Sequence, residues 1–456
     1  MNYLMSELSI PQKIKNYIDD NNLSISAFGD LCDVNRGILS AVINGTKVIS
    51  PDQLDKVTAA MQLDEGSLYS QYIEEYLATT ALDWRRIKRF LVRSAETNQL
   101  ECVEQVVYLV SDDLLYSELL FELAEELLKA DLKDAAIILY ENVAINEKRQ
   151  HSERLALCRY RLFVAKQGSN QEENYRLAIT FEEYVEKLDT LDQLDALRDL
   201  ANVYRSMRKW DRVERVALQL REKAAFQYQL QPKLSENQLM RPLFVYISYS
   251  YLLLGGAYEY KKDYSKALRY LNQSGDVSWV REEDEEAQIW KERFQNWAVV
   301  NSYVPRLLSG EEEVLTDYSR YIDENKDELP MFLLNAAEAA NQFGFNIDHL
   351  LEKYKDEISE IEHFAQNIKI YTEQISLERF SSLSYELAEY YFNQKNYELG
   401  YNRLLISLKQ SYILNDKKYI IKNVGLFEKV RQQASAEVLE NYQNMINEVY
   451  RNEKKH

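Results

Sequence analysis

The sequence has 456 residues, with 74 acidic and 55 basic side chains and a formal net charge of −19. A chain of this length allows about two to four domains, or one domain followed by a repeat array. The negative charge opposes non-specific binding of nucleic acid by the chain as a whole. Glycine and proline number only 12 and 6. Because sheets and irregular loops need these residues at their turns, the composition predicts an all-α protein.

Cysteine and histidine usage favours neither disulfides nor a metal site. The three cysteines lack CxxC spacing, and an odd number suits a reducing cytoplasm. The four histidines form no HExxH motif, and no glycine-rich phosphate-binding motif occurs. We therefore expect no metal, no cofactor, no catalytic residues and no enzymatic activity.

No stretch of the sequence has the pattern of a membrane segment. The most apolar one, residues 243–260, contains many tyrosines and lacks the ~20 clean apolar residues of a span. The first residues lack the apolar core of a signal peptide. We expect a cytoplasmic protein that does not enter a membrane.

The N-terminal residues predict a series of short helices. The first predicted helix covers residues 10–20, where isoleucines recur on one side. Ser24 is expected to cap a second helix over residues 25–31. Ser50 and Pro51 have the residue types that begin a helix, the serine as cap and the proline at the first helical position.

A third helix is predicted between these, after a tight turn at residues 32–35. Asn44 and Gly45 end it. Its apolar residues share one face by three-and-four spacing, and they are Val34, Ile38, Leu39 and Val42. Small polar residues and one arginine remain at its free N-terminal end, which suits the major groove of DNA. The candidate DNA contacts are Asn35, Arg36, Gly37, Ser40, Asn44 and Lys47.

Residues 28–45 resemble the helix-turn-helix of the Cro and phage-repressor type, the XRE family. The matching positions are Phe28, Val34, Asn35, Leu39, Ser40, Asn44 and Gly45. Gly29 replaces the family's alanine, Asp33 replaces its turn glycine, and Ile25 replaces a glutamine that contacts phosphate. Aspartate tolerates a left-handed backbone better than most residues, so the turn remains feasible. The resemblance implies a five-helix, lambda-repressor-like domain over residues 1–72 that binds double-stranded operator DNA.

This predicted domain is itself acidic, because residues 1–70 carry more carboxylates than basic side chains. DNA binding would therefore depend on few phosphate contacts per subunit, and so on dimerisation. A connector helix is predicted over residues 73–95, and it contains the basic run 85–93. Two interpretations of that run stay open, a solvated face of the connector and a contact with phosphate.

Beyond residue 95 one local pattern recurs. A leucine in one helix and a residue in the next helix, usually a small one, are thirteen positions apart in four copies, which begin at Leu123, Leu200, Leu254 and Leu387. The pattern resembles the tetratricopeptide repeat, in which small residues let paired helices approach while large ones fill the gap to the next pair. It implies a right-handed solenoid over residues 96–456.

A solenoid of this kind lines a groove with the first helix of each pair, and such grooves hold peptides or partner helices. Asparagine can satisfy both the donors and the acceptors of an extended peptide backbone with one side chain. The candidate peptide contacts are residues at the positions of each repeat that face the groove, together with asparagines of the middle helices. They are Arg198, Asn202, Arg205, Tyr249, Tyr260, Asn301, Asn335, Glu389 and Asn393. The net negative charge of the chain favours a peptide that carries positive charge.

The combined architecture resembles the RRNPP group, the peptide-pheromone-responsive cytoplasmic regulators of Gram-positive bacteria and their phages. The resemblance implies a quorum-sensing transcriptional regulator that binds its operator as a homodimer and is switched by a short signalling peptide in the repeat groove. One alternative is a regulator whose repeats sequester a protein partner such as a response regulator. Another is a repeat scaffold whose N-terminal domain has lost DNA binding.

Overall fold

A computed structural model describes residues 8–79, 82–111, 114–147, 153–168, 170–230, 239–358, 373–413 and 416–453. All regular structure in these ranges is helical, without a strand, which confirms the all-α prediction for the described part of the chain. The residues divide into two compact units. The first ends at Lys209 and also includes Met240, and the second begins at Trp210. Within each unit, successive helices pack against one another in tandem.

The first unit contains the predicted N-terminal helices. Its α-helices are α1 Ile10–Asp20, α2 Ile25–Cys32, α3 Arg36–Ile43, α4 Pro51–Ala60, α5 Tyr69–Tyr72, α6 Trp84–Glu96, α7 Leu100–Val110, α8 Leu114–Lys129, α9 Lys133–Asn146, α10 Glu153–Ala165, α11 Gln171–Glu182 and α12 Thr190–Ser206. A π-helical segment, Ile73–Leu77, continues α5, and a 3-10 turn, Val185–Lys187, follows α11. Both predicted caps are confirmed, since Ser24 accepts a hydrogen bond from the Ala27 amide and Ser50 accepts one from the Gln53 amide.

One apolar core runs through most of this unit, from Ile10 in α1 to Leu162 in α10. Phe28 of α2 and Leu39 of α3 are fully buried in it, as is Phe90 of α6. Residues 8–72 therefore share their core with the helices that follow and are not a separate compact unit. The functional boundary at residue 72 and the connector over residues 73–95 stay predictions.

The second unit contains the remaining helices. These are α13 Trp210–Leu230, α14 Leu243–Tyr260, α15 Tyr264–Gly275, α16 Glu285–Leu307, α17 Val314–Glu324, α18 Leu329–Phe343, α19 Asp348–Lys353, α20 Glu373–Asn393, α21 Tyr397–Ile413, α22 Lys417–Val430 and α23 Ala436–Glu453. Short 3-10 turns occur at Lys326–Glu328 and Arg431–Gln433.

Three of the four predicted repeat copies are packed helix pairs, α8 with α9, α14 with α15 and α20 with α21. The copy that begins at Leu200 spans the division between the two units. Gly255 shows why small residues recur in these pairs. A Cβ at this position would lie 2.7 Å from Cγ of Leu271, so only glycine allows α14 and α15 to come so close.

None of the described helices is both long and apolar enough to cross a membrane. Within the same ranges, the side chains of His, Cys, Asp and Glu form no group of three that could hold a metal ion. Cys32, Cys102 and Cys158 are free thiols and are buried. Burial raises the pKa of the Cys158 thiol to about 12, so this cysteine stays protonated at neutral pH.

Candidate functional site

The turn between α2 and α3 brings these helices into close contact. Asp33 has φ 47° and ψ 45°, a left-handed conformation, so the predicted tight turn forms with aspartate at this position. A Cβ on Gly29 would lie 2.7 Å from the carbonyl oxygen of Val34. Glycine at position 29 is therefore what this tight turn requires.

Helix α3 packs on the core by its predicted face and exposes its N-terminal end. Val34, Leu39 and Val42 are buried, and Ile38 is half-buried. The predicted DNA contacts lie toward solvent, with Ser40 half-buried and the others exposed, namely Asn35, Arg36, Gly37, Asn44 and Lys47. Burial of one face thus leaves the opposite face open to a ligand.

Four of these predicted contacts are hydrogen-bonded to one another in pairs. Asn35 is the N-cap of α3, and its Oδ1 accepts a hydrogen bond from the Gly37 amide at 2.8 Å. Nδ2 of Asn44 donates to Oγ of Ser40 at 3.5 Å. Neither Arg36 nor Lys47 has an ion pair or side-chain hydrogen bond with any described residue. Both cations are available to an acceptor from outside the chain.

The basic run on α6 is engaged within the chain instead. The Lys88 ammonium pairs with Glu126 at 2.7 Å, and the Arg89 guanidinium pairs with Asp52 at 3.4 Å. Arg93 bonds to three carboxylates, those of Asp55, Glu65 and Glu96. These pairs favour the connector interpretation over phosphate contact.

In the first unit, the three predicted peptide contacts lie on α12. Arg198 is enclosed by acids, at 3.0 Å from Asp195 and 2.9 Å from Asp199. Asn202 is half-buried and Arg205 is exposed. Arg198 therefore already has anionic partners within the protein, whereas the guanidinium of Arg205 lies open to solvent.

A row of charged side chains links α8, α10 and α12 in this unit. Arg161 Nε lies 2.8 Å from Oε1 of Glu125, and the Tyr140 hydroxyl donates to the same oxygen at 2.6 Å. Burial acts to raise the pKa of Glu125, but these two hydrogen bonds hold it below its usual value. Burial raises the pKa of Asp192, whose carboxylate has no hydrogen-bond partner among the described residues.

The predicted peptide contacts of the second unit differ in exposure. Tyr249 is half-buried, and Tyr260, 62% exposed, stacks on Trp210 with ring centroids 5.5 Å apart. Asn301 is exposed and donates to the Trp297 carbonyl of its own helix at 2.7 Å. Asn335 was expected on an open helix face, but it is 7% exposed, and its side chain acts against the burial that raises the pKa of Tyr318. Its amide is used in helix packing.

The last two predicted contacts, Glu389 and Asn393, lie on α20 beside α18. Nδ2 of Asn393 donates to Oδ1 of Asn341 at 3.3 Å. Nδ2 of Asn341 in turn donates to the backbone oxygen of Glu386 at 2.9 Å and to its Oε2 at 3.0 Å. Burial raises the pKa of Glu386, against the opposing effects of the Asn341 hydrogen bond and the Lys422 charge.

Carboxylates of α18 and α20 collect around these residues, since Glu386 lies within electrostatic range of Glu338 and Glu389, and we call these three the acidic face. Burial raises the pKa of Glu259 to about 7, and its carboxylate has no partner among the described residues. Lys262 bonds to Glu338 at 2.7 Å and also lies within electrostatic range of Glu386. The three carboxylates of the acidic face outnumber Lys262 and Lys422, the lysines within electrostatic range of Glu386, so they can accept a further positively charged group.

Sequence reasoning did not identify Glu259, Glu338 or Glu386. Glu386 precedes Glu389 and Asn393 by three and seven positions, so helical spacing along α20 could have found it. The burial of Glu259 has no signal in the local residue pattern, because it results from the packing of α14 against other helices.

No family model matches the sequence, and no curated protein matches it. Among solved structures, the chain is similar to one described as "Circular tandem repeat protein with novel repeat topology and enhanced subunit contact surfaces". The two share 14% sequence identity, with 97% of this chain and 90% of that chain covered, at a TM-score of 0.18. A TM-score this low supports no conclusion about function.

Proposed function

We propose that this protein is a cytoplasmic transcriptional regulator that binds double-stranded operator DNA as a homodimer, with α3 as the recognition helix. The observation that carries the proposal is Arg36, exposed and without an intramolecular partner among the described residues, at the free end of a helix buried by its other face. An arginine in that place can donate two hydrogen bonds to one guanine. Lys47, which is exposed beyond the end of the same helix, would contact phosphate.

Dimerisation follows from the charge of the N-terminal helices. Lys56 pairs with Asp33 at 2.5 Å, and Lys13 donates to Gln71 at 2.6 Å, so part of the small supply of cations is already used. One copy would make few phosphate contacts and bind weakly. Two copies on a palindromic site double the number of contacts and set a fixed spacing.

The input of the regulator is a short peptide with a basic residue, bound in a groove of the repeats at the acidic face of the second unit. Glu389 and Asn393 are accessible there, and the side chain of Asn341 on α18 bonds to Glu386 on α20. The carboxylates would receive the basic side chain, and the amides would bond the peptide backbone. The peptide would act by binding more tightly to one of two conformations of the homodimer.

A mobility-shift assay with DNA from upstream of the gene tests the output. Wild type is expected to give a specific shift, which Arg36→Ala and Ser40→Ala abolish or weaken. Arg85→Ala, which removes an exposed arginine from α6, is the matched control and should bind like wild type. A specific shift that survives in both α3 variants would remove α3 from the interface.

The alternative is a repeat scaffold that sequesters a protein partner such as a response regulator, with DNA binding weak or lost. The excess of carboxylates in the N-terminal helices favours it. This alternative predicts that the wild-type protein gives no specific shift with DNA from upstream of its gene. It also predicts that a purified response regulator binds the wild-type protein in a pull-down. The regulator proposal predicts the reverse.

Calorimetry with short synthetic peptides tests the input, starting from peptides encoded by reading frames beside the gene. We expect a basic peptide to bind wild type, and Glu389→Gln to weaken it at least about ten-fold, equivalent to ~1.4 kcal/mol. Glu398→Gln, which removes an exposed carboxylate from α21, is the control. Equal affinities for wild type and Glu389→Gln would remove Glu389 from the site.

A further inference from the structure

In the first unit, a cleft of about 350 Å³ opens to solvent beside the end of α3. Three segments that are separated in sequence form its walls. They contribute Ser9 and Pro11 at the start of α1, Gly45, Thr46, Lys47 and Val48 after α3, and Glu75 and Tyr76 of the π-helical segment. The volume lies in the lower part of the range found for small-molecule sites, so the cleft can hold a small ligand.

Two opposite charges line this cleft without pairing. Neither the Lys47 ammonium nor the Glu75 carboxylate forms an ion pair with the other, or with any other residue in the described ranges. Lys47 is exposed, and Glu75 is half-buried. A ligand that carries one charge of each sign can therefore pair with both.

Glu75 is held in place by neutral donors. The Ile10 amide donates to its Oε1 at 3.2 Å and to its Oε2 at 3.1 Å, and Nε2 of Gln71 donates to Oε1 at 2.5 Å. These bonds fix the orientation of the carboxylate but bring no positive charge to it. An ionised carboxylate can accept about four hydrogen bonds, so Glu75 can still accept one from an ammonium group.

Apolar side chains supply another part of the wall. Pro11 and Val48 line the cleft from two different segments, and both are half-buried. Tyr76 lines it from a third, and its ring packs against that of Tyr72 with centroids 5.3 Å apart. The cleft thus offers an apolar surface to a ligand beside its two charges.

The segment that carries Glu75 and Tyr76 has an unusual backbone. The Ala78 amide donates to the Ile73 carbonyl at 2.9 Å, a bond across five positions. Single π-helical turns of this kind are rare, and they occur frequently at functional sites. This backbone is a second observation, independent of the cleft itself, at the same place in the fold.

We propose that the cleft binds a small zwitterion, namely a free amino acid with an apolar side chain. Its carboxylate would pair with Lys47 and its ammonium with Glu75. Its side chain would lie against Pro11, Val48 and Tyr76, where burial of apolar surface is favourable. An ion of a single sign would leave one of the two charges in the cleft without a partner, so the pair of charges selects a zwitterion.

Calorimetric titration of the full chain with L-leucine, L-valine and L-phenylalanine tests the site, with saturation-transfer NMR for weak binding. We expect at least one of the three to bind at one saturable site per chain. Isocaproate is leucine without the ammonium, and isoamylamine is leucine without the carboxylate. Each should bind at least about ten-fold more weakly than leucine, because it leaves one charge of the cleft unpaired.

Matched variants assign the binding to the cleft. Lys47→Met and Glu75→Gln should each weaken binding of the amino acid at least about ten-fold, and the glutamine keeps an oxygen for the Ile10 amide. Lys15→Met and Glu74→Gln remove exposed charges that lie outside the cleft, and they should bind like wild type. Circular dichroism of each variant checks that it is folded.

Three results would overturn the proposal. One is that wild type binds none of the three amino acids saturably. Another is that isocaproate or isoamylamine binds as tightly as leucine. The third is that Lys47→Met and Glu75→Gln, both folded, keep wild-type affinity.

A bound amino acid should also weaken DNA binding, because its carboxylate would occupy the ammonium of Lys47; this consequence rests on the proposed function. Fluorescence anisotropy of operator DNA with and without saturating amino acid measures it, and an unchanged affinity for DNA would contradict the shared use of Lys47. The two proposals fail separately. A protein that binds the amino acid but no DNA contradicts the regulator, whereas one that binds DNA but no amino acid contradicts only the cleft site.

Discussion

The Arg93 guanidinium lies 2.7 Å from the Asp55 carboxylate, and this contact joins α6 to α4. Asp55 also accepts a hydrogen bond from the Tyr69 hydroxyl at 2.6 Å. Nearby, the Phe90 ring stacks on Tyr72 with centroids 5.3 Å apart. The basic helix that the sequence offered as a phosphate contact thus anchors the predicted DNA-binding helices to the rest of the first unit.

Arg93→Met should destabilise the first unit. The Asp55 side chain is only 16% exposed, and its carboxylate would lose its cation, so we expect a loss of about 1–3 kcal/mol in the free energy of unfolding. Arg89→Met breaks the pair with Asp52, in which both side chains are more than half exposed, and should change stability by less than about 1 kcal/mol. Urea unfolding followed by circular dichroism measures both, and equal losses would show that the Arg93 contacts contribute no more than a surface pair.

Two adjacent glycines on α14 should respond to alanine with different sign. Gly255→Ala places a Cβ 2.7 Å from Cγ and Cδ2 of Leu271, so overpacking should lower stability by about 1–3 kcal/mol. Gly256→Ala meets Trp210 at 3.5 Å, an ordinary contact, and should be neutral or stabilising by up to about 1 kcal/mol, because alanine favours a helix. Thermal unfolding of the two variants checks this, and a shift of the same sign and size would contradict the packing argument.

Glu259 should make the second unit less stable as pH rises. Burial raises its pKa from 4.5 to about 7, so the folded state holds the proton more tightly than the unfolded state does. Stability therefore falls between these two pKa values and stays lower above the higher one. Glu259→Gln removes the ionisation and should stabilise the protein at about pH 8, by about 1–3 kcal/mol, with little effect at about pH 4.5.

Denaturant unfolding at the two pH values measures the effect of Glu259→Gln. The control, Glu292→Gln, removes an exposed carboxylate on α16 and should show no comparable difference. A Glu259→Gln effect that is the same at both pH values would mean that ionisation of this carboxyl does not contribute to stability.

Arg36 and Lys47 should affect DNA binding in distinct ways. If Lys47 contacts phosphate, Lys47→Ala should weaken all DNA sequences alike and reduce the slope of log K against log salt by about 1 for each copy bound. If Arg36 contacts a base, Arg36→Ala should cost about 1–3 kcal/mol on the operator and much less on unrelated DNA. Fluorescence anisotropy across a potassium chloride series separates the two, and an unchanged slope for Lys47→Ala would remove it from the phosphate backbone.

Local patterns in the sequence were sufficient to predict the helices near the N-terminus. Helix α1 has the predicted bounds, Ser24 and Ser50 cap their helices, and Asp33 adopts the left-handed backbone. These features depend on hydrogen bonds and torsions within a few residues of each other, so the residue types alone encode them. The sequence also predicted the pairing of α14 with α15, where Gly255 allows the two helices to come close.

Tertiary structure decided which side chains are free to act. Arg93 lies 38 positions from Asp55, and Asn341 lies 45 positions from Glu386, so no local periodicity could pair them. Asn335 has the residue type expected of a groove contact but turns into the core, whereas burial raises the pKa of the Glu259 carboxyl. The sequence by itself determined an all-helical chain with an exposed arginine on a short third helix. Which of its many charges are neutralised depends on the packing of distant helices, because burial and ion pairing are properties of the assembled unit.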